Sequence, residues 1–302
     1  GVRCALVKRV LQGHRHIKSK HHSGTLRRGR RAPRRAERCR THLRVSIRRR
    51  TCRRGLGLFL FAEPEHLVLS VSWGNTGRRE QRAEPTPQAW SQGQAQDNRH
   101  WFPTWDFPND RLTLDARYTV AGDLTAVGNG VLVSNEENGD GTRTFHWQME
   151  RTLPTYLVAV AVGAWERYTD RWRDVDVEYW VGPGTGEEKA RRAFGETPAI
   201  LEFFSELYGV PYPYRRYAQV AVAEFVFAGM ENTTVTIQND YVIGSADEVA
   251  DLVGDPRLLV AHEAAHHWFG DLVTCRGWSH LWLNEAFASY LELLYEGHAS
   301  GE

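Results

Sequence analysis

Two histidines and two glutamates are spaced to hold and use a metal ion. His262, Glu263 and His266 lie within His262-Glu263-Ala264-Ala265-His266, and Glu285 follows after 18 intervening residues. On a helix, residues four apart project from one face, so the two imidazoles can grip a single cation. Glu263 stands beside them, near enough to take a proton from water without being a ligand. A His₂Glu site needs its carboxylate from a second element, which is the place Glu285 occupies. The expected cofactor is one Zn2+ per chain.

The elements that must position these groups can be read outward from them. Asp255-Pro256 is a helix start, with an acceptor side chain at the cap and a proline whose missing N–H costs nothing in the first turn. Leu258, Leu259, Ala265, Trp268, Phe269 and Leu272 continue at helical spacing. Phe287, Tyr290, Leu291 and Leu294 put Glu285 on a second helix, and two antiparallel helices would bring it over the histidines. His267 is turned about 100° from His266, so packing or a contact behind the ligands is expected of it, as of His280. Trp268, Trp278 and Trp282 are expected in the core around the site, and Tyr290 and Tyr295 in packing roles.

Further upstream, residues 112–181 read as short β segments: Leu112–Leu114, Tyr118–Val120, Val131–Val133, Thr144–Trp147, Tyr156–Val162 and Val175–Val181. Turns such as Asn138-Gly139-Asp140-Gly141 and Gly182-Pro183-Gly184 separate them. After Gly186 the period becomes helical, which sets the domain boundary near residue 182.

The zinc stretch and its surroundings resemble the M1 aminopeptidases, gluzincins with the pattern H-E-x-x-H-x18-E. Ala228-Gly229-Met230-Glu231-Asn232 resembles their G-x-M-E-N exopeptidase motif, with Ala228 in place of the first glycine. Trp268-Phe269-Gly270-Asp271-Leu272-Val273-Thr274, Trp282-Leu283-Asn284-Glu285 and Gln92-Gly93-Gln94-Ala95 also read like family text. The likeness covers roughly residues 85–302. It implies an α+β, multidomain architecture, with part of an antiparallel β N-terminal domain (83–182) followed by the first part of a thermolysin-like mixed α/β catalytic domain (183–302). It also implies removal of N-terminal residues from peptides by Glu263-assisted attack of water at zinc held by His262, His266 and Glu285. Glu231 would pair with the substrate's free α-ammonium. The backbone at Ala228 and Gly229 would hydrogen-bond the substrate, alongside Met230 and Asn232. Gln94 stands where many members carry Glu, which predicts a weaker amine anchor; leukotriene A4 hydrolase-like members also have Gln there. The family's oxyanion-stabilising Tyr would fall beyond Glu302, so the chain reads as an N-terminal fragment, and an incomplete or inactive domain kept for binding is the alternative.

Composition bounds the remaining possibilities. The net charge of +1 conceals 20 Lys and Arg against one acid in residues 1–54, and 18 bases against 36 acids thereafter. The basic stretch predicts either a nucleic-acid arm or, as the preferred reading, a segment of 1–82 that is irregular, disordered or read out of frame. Cys4, Cys39, Cys52 and Cys275 form no C-x-x-C pair, which suits a reducing compartment. No apolar run reaches the roughly 18 residues that a bilayer span needs, and no signal core follows the basic opening, so a cytoplasmic location away from membranes is expected. The expected partners are peptides with a free N-terminus.

Overall fold

The computed structural model describes residues 87–244 and 255–301, together with the backbone of 40–52, 55–62 and 67–69. The arginine cluster at 27–31, Cys4 and Cys39 lie outside the described residues, and the nucleic-acid reading lies there with them. Within the stretch expected to be irregular, three strands occur: β1 (Arg40–Cys52), β2 (Gly55–Ala62) and β3 (Leu67–Leu69). β2 pairs antiparallel with β1 and with β3. β1 runs parallel to β5 (Arg111–Ala121), from Arg40↔Thr113 to Ser46↔Thr119. The irregular assignment of 1–82 is corrected for these strands. Leu43, Val45 and Ile47 alternate with Arg44, Ser46 and Arg48, a period of two that the density of arginine conceals.

β5 is the hub of a six-stranded sheet of order β3-β2-β1-β5-β8-β7, where β7 is Val131–Glu137 and β8 is Thr142–Pro154. The segments expected at 112–114 and 118–120 are one strand, and apart from β1 with β5 the pairing is antiparallel. A second, three-stranded sheet joins β4 (Ala89–Trp90), β9 (Val160–Gly163) and β6 (Thr125–Gly128). The run 156–162 is strand only from Val160. Residues 155–157 form a 3-10 turn whose carbonyls are met by buried asparagines rather than by a ladder. Asn98 Nδ2 donates to Thr155 O and Val158 O, and Asn129 Nδ2 donates to Leu157 O.

The third sheet has the order β10-β11-β12-β14-β13: β10 (Glu166–Trp172), β11 (Val175–Val181), β12 (Arg216–Val222), β14 (Val235–Asn239) and β13 (Gly229–Met230). β11, β12 and β14 are parallel neighbours. The β11-to-β12 crossover carries α1 (Glu187–Phe194) and α2 (Thr197–Tyr208), as a parallel connection requires. All of β12 is buried, the signature of a central parallel strand. This sheet crosses the boundary expected at residue 182, because long-range pairing, which no local signal announces, assigns β10 and β11 to the following layer.

Buried polar ties join the sheets. Arg216 donates from Nε to Glu178 at 2.8 Å and from Nη1 to the carbonyls of Gly128 and Gly130, with its guanidinium 4.4 Å from the Trp147 ring centroid. Burial alone would raise the Glu178 pKa, but Arg216 holds it down at about 2. Removing one member of a buried ion pair typically costs about 3–5 kcal/mol.

Candidate active site

The helix α3 (Pro256–Ala265) starts as the sequence predicts: the Asp255 side chain caps it by accepting from Arg257 N–H, and Pro256 occupies the first turn. It ends sooner than the apolar spacing suggests. After Ala265 the amides of Asp271, Leu272 and Val273 reach back five residues, to the carbonyls of His266, His267 and Trp268. Gly270 turns the chain at φ 142°, a conformation open to glycine. The apolar residues through Leu272 thus belong to a compact loop rather than to a longer helix.

That loop orients a candidate ligand. His266 Nδ1 donates to the Phe269 carbonyl at 3.0 Å, which leaves Nε2 free. His262 is held in the same way by a carboxylate: Nδ1 lies 2.7 Å from Glu292 Oε2. Both Nε2 atoms face Glu285, on α4 (Trp282–Ser300). The two Nε2 atoms are 3.1 Å apart, and Glu285 Oε2 is 3.5 Å from that of His266 and 3.7 Å from that of His262. The centre of such a triangle lies about 2 Å from each corner, the length of a zinc bond to imidazole or carboxylate. Geometry, donor chemistry and the outer bonds that fix each ring therefore fit zinc.

At the imidazoles and Glu285, charged neighbours oppose the effect of burial. Burial would lower the pKa of His262, yet hydrogen bonds to Glu285 and Glu292 raise it to about 10. His266 rises to about 9 against its own burial, through Glu231 and Glu285. Burial would raise the Glu285 carboxyl, but the two imidazoles hold it far below its ordinary value. Glu263 behaves oppositely. Its burial outweighs the histidines and lifts it to about 7, within reach of neutral-pH proton transfer. Its Oε2 has no hydrogen-bond partner among the described residues.

The exopeptidase-like motif lies alongside. β13 is an edge strand paired with β14 through Gly229↔Gln238 and Met230↔Ile237. A Cβ at Gly229 would stand 2.2 Å from Glu263 Oε1, so glycine is what lets this strand lie against the carboxylate. Met230 packs in the core, whereas Ala228 is exposed and its carbonyl accepts from Asn239 N–H. Glu231 is 3% exposed, and its pKa is raised by burial and lowered by His266. Glu231 Oε1 and both polar atoms of the Asn232 side chain have no partner among the described residues. Gln94 is half-buried, and its backbone N–H donates to Gln92 Oε1.

Other placements revise or extend the sequence reading. His267 is fully buried behind the ligands and His280 is exposed. Trp268 is in the core and Trp278 packs on Tyr156, but Trp282 and Tyr290 are 61% and 59% exposed, which corrects their assignment to packing. Tyr295 is buried as expected, its hydroxyl donating to Glu196. Two contributors were missed. Glu292 follows Glu285 by seven residues, two helical turns, a spacing that could have flagged it. Asn284 joins Tyr156 Oη to the Cys275 amide and so fixes the start of α4; no motif announces that link.

Comparison with known proteins gives this geometry a family. The Peptidase M1 N-terminal domain matches residues 78–157 and the Peptidase family M1 domain matches residues 192–302. The chain belongs to peptidase family M1. Among similar M1 proteins, Aminopeptidase M1 of Arabidopsis thaliana is 31% identical over 218 residues, 71% of this chain and 25% of that protein. The Probable aminopeptidase 2 of Sulfurisphaera tokodaii is 31% identical over 196 residues, 64% of this chain and 25% of that protein. The Puromycin-sensitive aminopeptidase of Caenorhabditis elegans is 30% identical over 203 residues, 66% and 21% respectively. The chain thus spans about a quarter of the length of the curated relatives it matches. Among its described residues no helix is long and apolar enough to cross a membrane.

Proposed function

We propose that the protein carrying this chain is a zinc aminopeptidase that hydrolyses the first peptide bond of substrates with a free N-terminus, on a thermolysin-like catalytic domain. The observation that carries this reading is a buried carboxylate, Glu231, in the same electrostatic cluster as the His262–His266–Glu285 triangle. His262, His266 and Glu285 would hold a zinc ion, which would supply the Lewis acidity that activates water and a carbonyl. The other parts of the reaction fall to side chains. Glu263, lifted to about 7 by burial, takes a proton from the attacking water at Oε2 and passes it to the departing nitrogen. Glu231 receives the substrate's α-ammonium, a charge that repays the cost of keeping that carboxylate away from water. The outer edge of β13, next to Glu263, suits an extended peptide backbone. Gln94, bringing no charge, leaves the amine to Glu231.

The deciding experiment compares leucine p-nitroanilide with its N-acetylated form on the zinc-loaded, full-length protein. Cleavage of the free amine at least about a hundredfold faster is expected, the value of a buried charge pair. Equal rates would remove the exopeptidase assignment.

A further inference from the structure

We propose that His267 is a positioning residue that sets the distance between the metal centre and the amine anchor, a role that rests on the aminopeptidase reading above. Its imidazole is fully buried and both nitrogens are engaged. Nδ1 donates to the Glu263 carbonyl at 3.1 Å, on the helix that carries the ligands. Nε2 accepts from the Thr234 amide at 3.1 Å, on the turn that follows Glu231. One donor and one acceptor fix a single neutral tautomer. Three tyrosines fix the ring plane, with centroids 4.7 Å (Tyr217), 5.5 Å (Tyr212) and 5.9 Å (Tyr214) away.

The far end of this link is strained. Thr234 sits at φ 68°, a left-handed conformation that β-branched residues rarely adopt. Strain of this kind persists where the surroundings over-determine it. All the polar groups of Thr234 are engaged: its amide by His267, its hydroxyl by Gly130 N–H at 2.7 Å, and its carbonyl by Ala218 N–H at 3.0 Å. The turn closes with Val235 N–H on Asn232 O at 2.8 Å. Glu231 immediately precedes it. A rigid path therefore runs from the Glu263 backbone through one imidazole to the turn that holds the amine-binding carboxylate. The length of that path decides where a chain end sits relative to the scissile bond.

The test uses the zinc-loaded, full-length protein and two competitive inhibitors. Leucinamide needs the amine anchor; acetohydroxamate has no amine and probes the metal alone. His267→Phe keeps the ring in its tyrosine cage but loses both hydrogen bonds. It is expected to keep its zinc, to bind leucinamide about tenfold more weakly with a matching rise in KM, and to bind acetohydroxamate unchanged. His267→Gln, which can donate and accept, should stay within about threefold of the parent on both probes. Unchanged leucinamide binding in His267→Phe, or equal weakening of both inhibitors, overturns the proposal. Should His267→Phe fail to fold, His267→Leu serves in its place, since its apolar side chain makes neither hydrogen bond. Selective weakening of leucinamide then supports the proposal, and parallel or absent change overturns it. A parent protein that binds leucinamide no better than N-acetylleucinamide would instead fail the aminopeptidase reading itself.

Discussion

The two halves of the site are built on opposite terms. On the helical half, His262 and His266 each have one nitrogen committed, to Glu292 and to the Phe269 carbonyl, and the other aimed at Glu285. On the strand half, Glu231 and Asn232 are buried but carry polar atoms with no partner among the described residues. Buried polar groups are normally satisfied, because each unmet one costs roughly 1–3 kcal/mol. On the aminopeptidase reading proposed above, the contrast separates a helical half whose imidazoles are oriented by the fold from a strand half suited to a charge that arrives with the substrate.

Glu263 lies between the halves, its backbone in the ligand helix and its carboxylate against Gly229. Glu263→Gln should have the largest effect, a fall of about 10²–10⁴ in kcat with zinc content unchanged by metal analysis. Full turnover in that variant would leave the base unassigned. Glu231→Gln tests the strand half alone. It should cost about 2–5 kcal/mol in kcat/KM on free-amine substrates, with little change in zinc binding; loss of zinc instead would merge the two halves. Glu292→Gln tests the helical half. Zinc affinity, measured against a chelator, should fall about 10–100-fold, with kcat nearly restored at saturating zinc. An unaltered affinity would show that the carboxylate behind His262 is dispensable.

How much of this could be read from residues alone varies with the range of the contact. The clustering of His262, Glu263 and His266 was legible because helical periodicity places these residues without reference to the rest of the fold. Glu285 was legible because the second helix is amphipathic. Glu292 was within reach of the same periodicity. The links made by Asn284 and His267 were not, since their partners, Tyr156 and Thr234, lie 128 and 33 residues away in the chain. The same limit explains the sheet that crosses residue 182, where β11 pairs with a strand reached only after two helices. Trp282 and Tyr290 failed for another reason. Hydrophobicity says that a side chain favours cover, not that a neighbour is there to give it. β1 was missed because charge density was read as disorder although the alternation of Leu43, Val45 and Ile47 was intact.

The hydrogen bonds between the layers bear on how the protein can be handled. Arg111 on β5 donates to Thr274 Oγ1 and to the Asp271 carbonyl, in the loop after the ligand helix. Asn129 donates to Thr233 O, and Trp90 Nε1 to Ala223 O. A shortened version beginning at α1 would retain His262, Glu263, His266 and Glu285, yet it would strip these braces from the loop and from the turn beside Glu231. Anyone expressing the peptidase half by itself should therefore keep the β strands upstream of it.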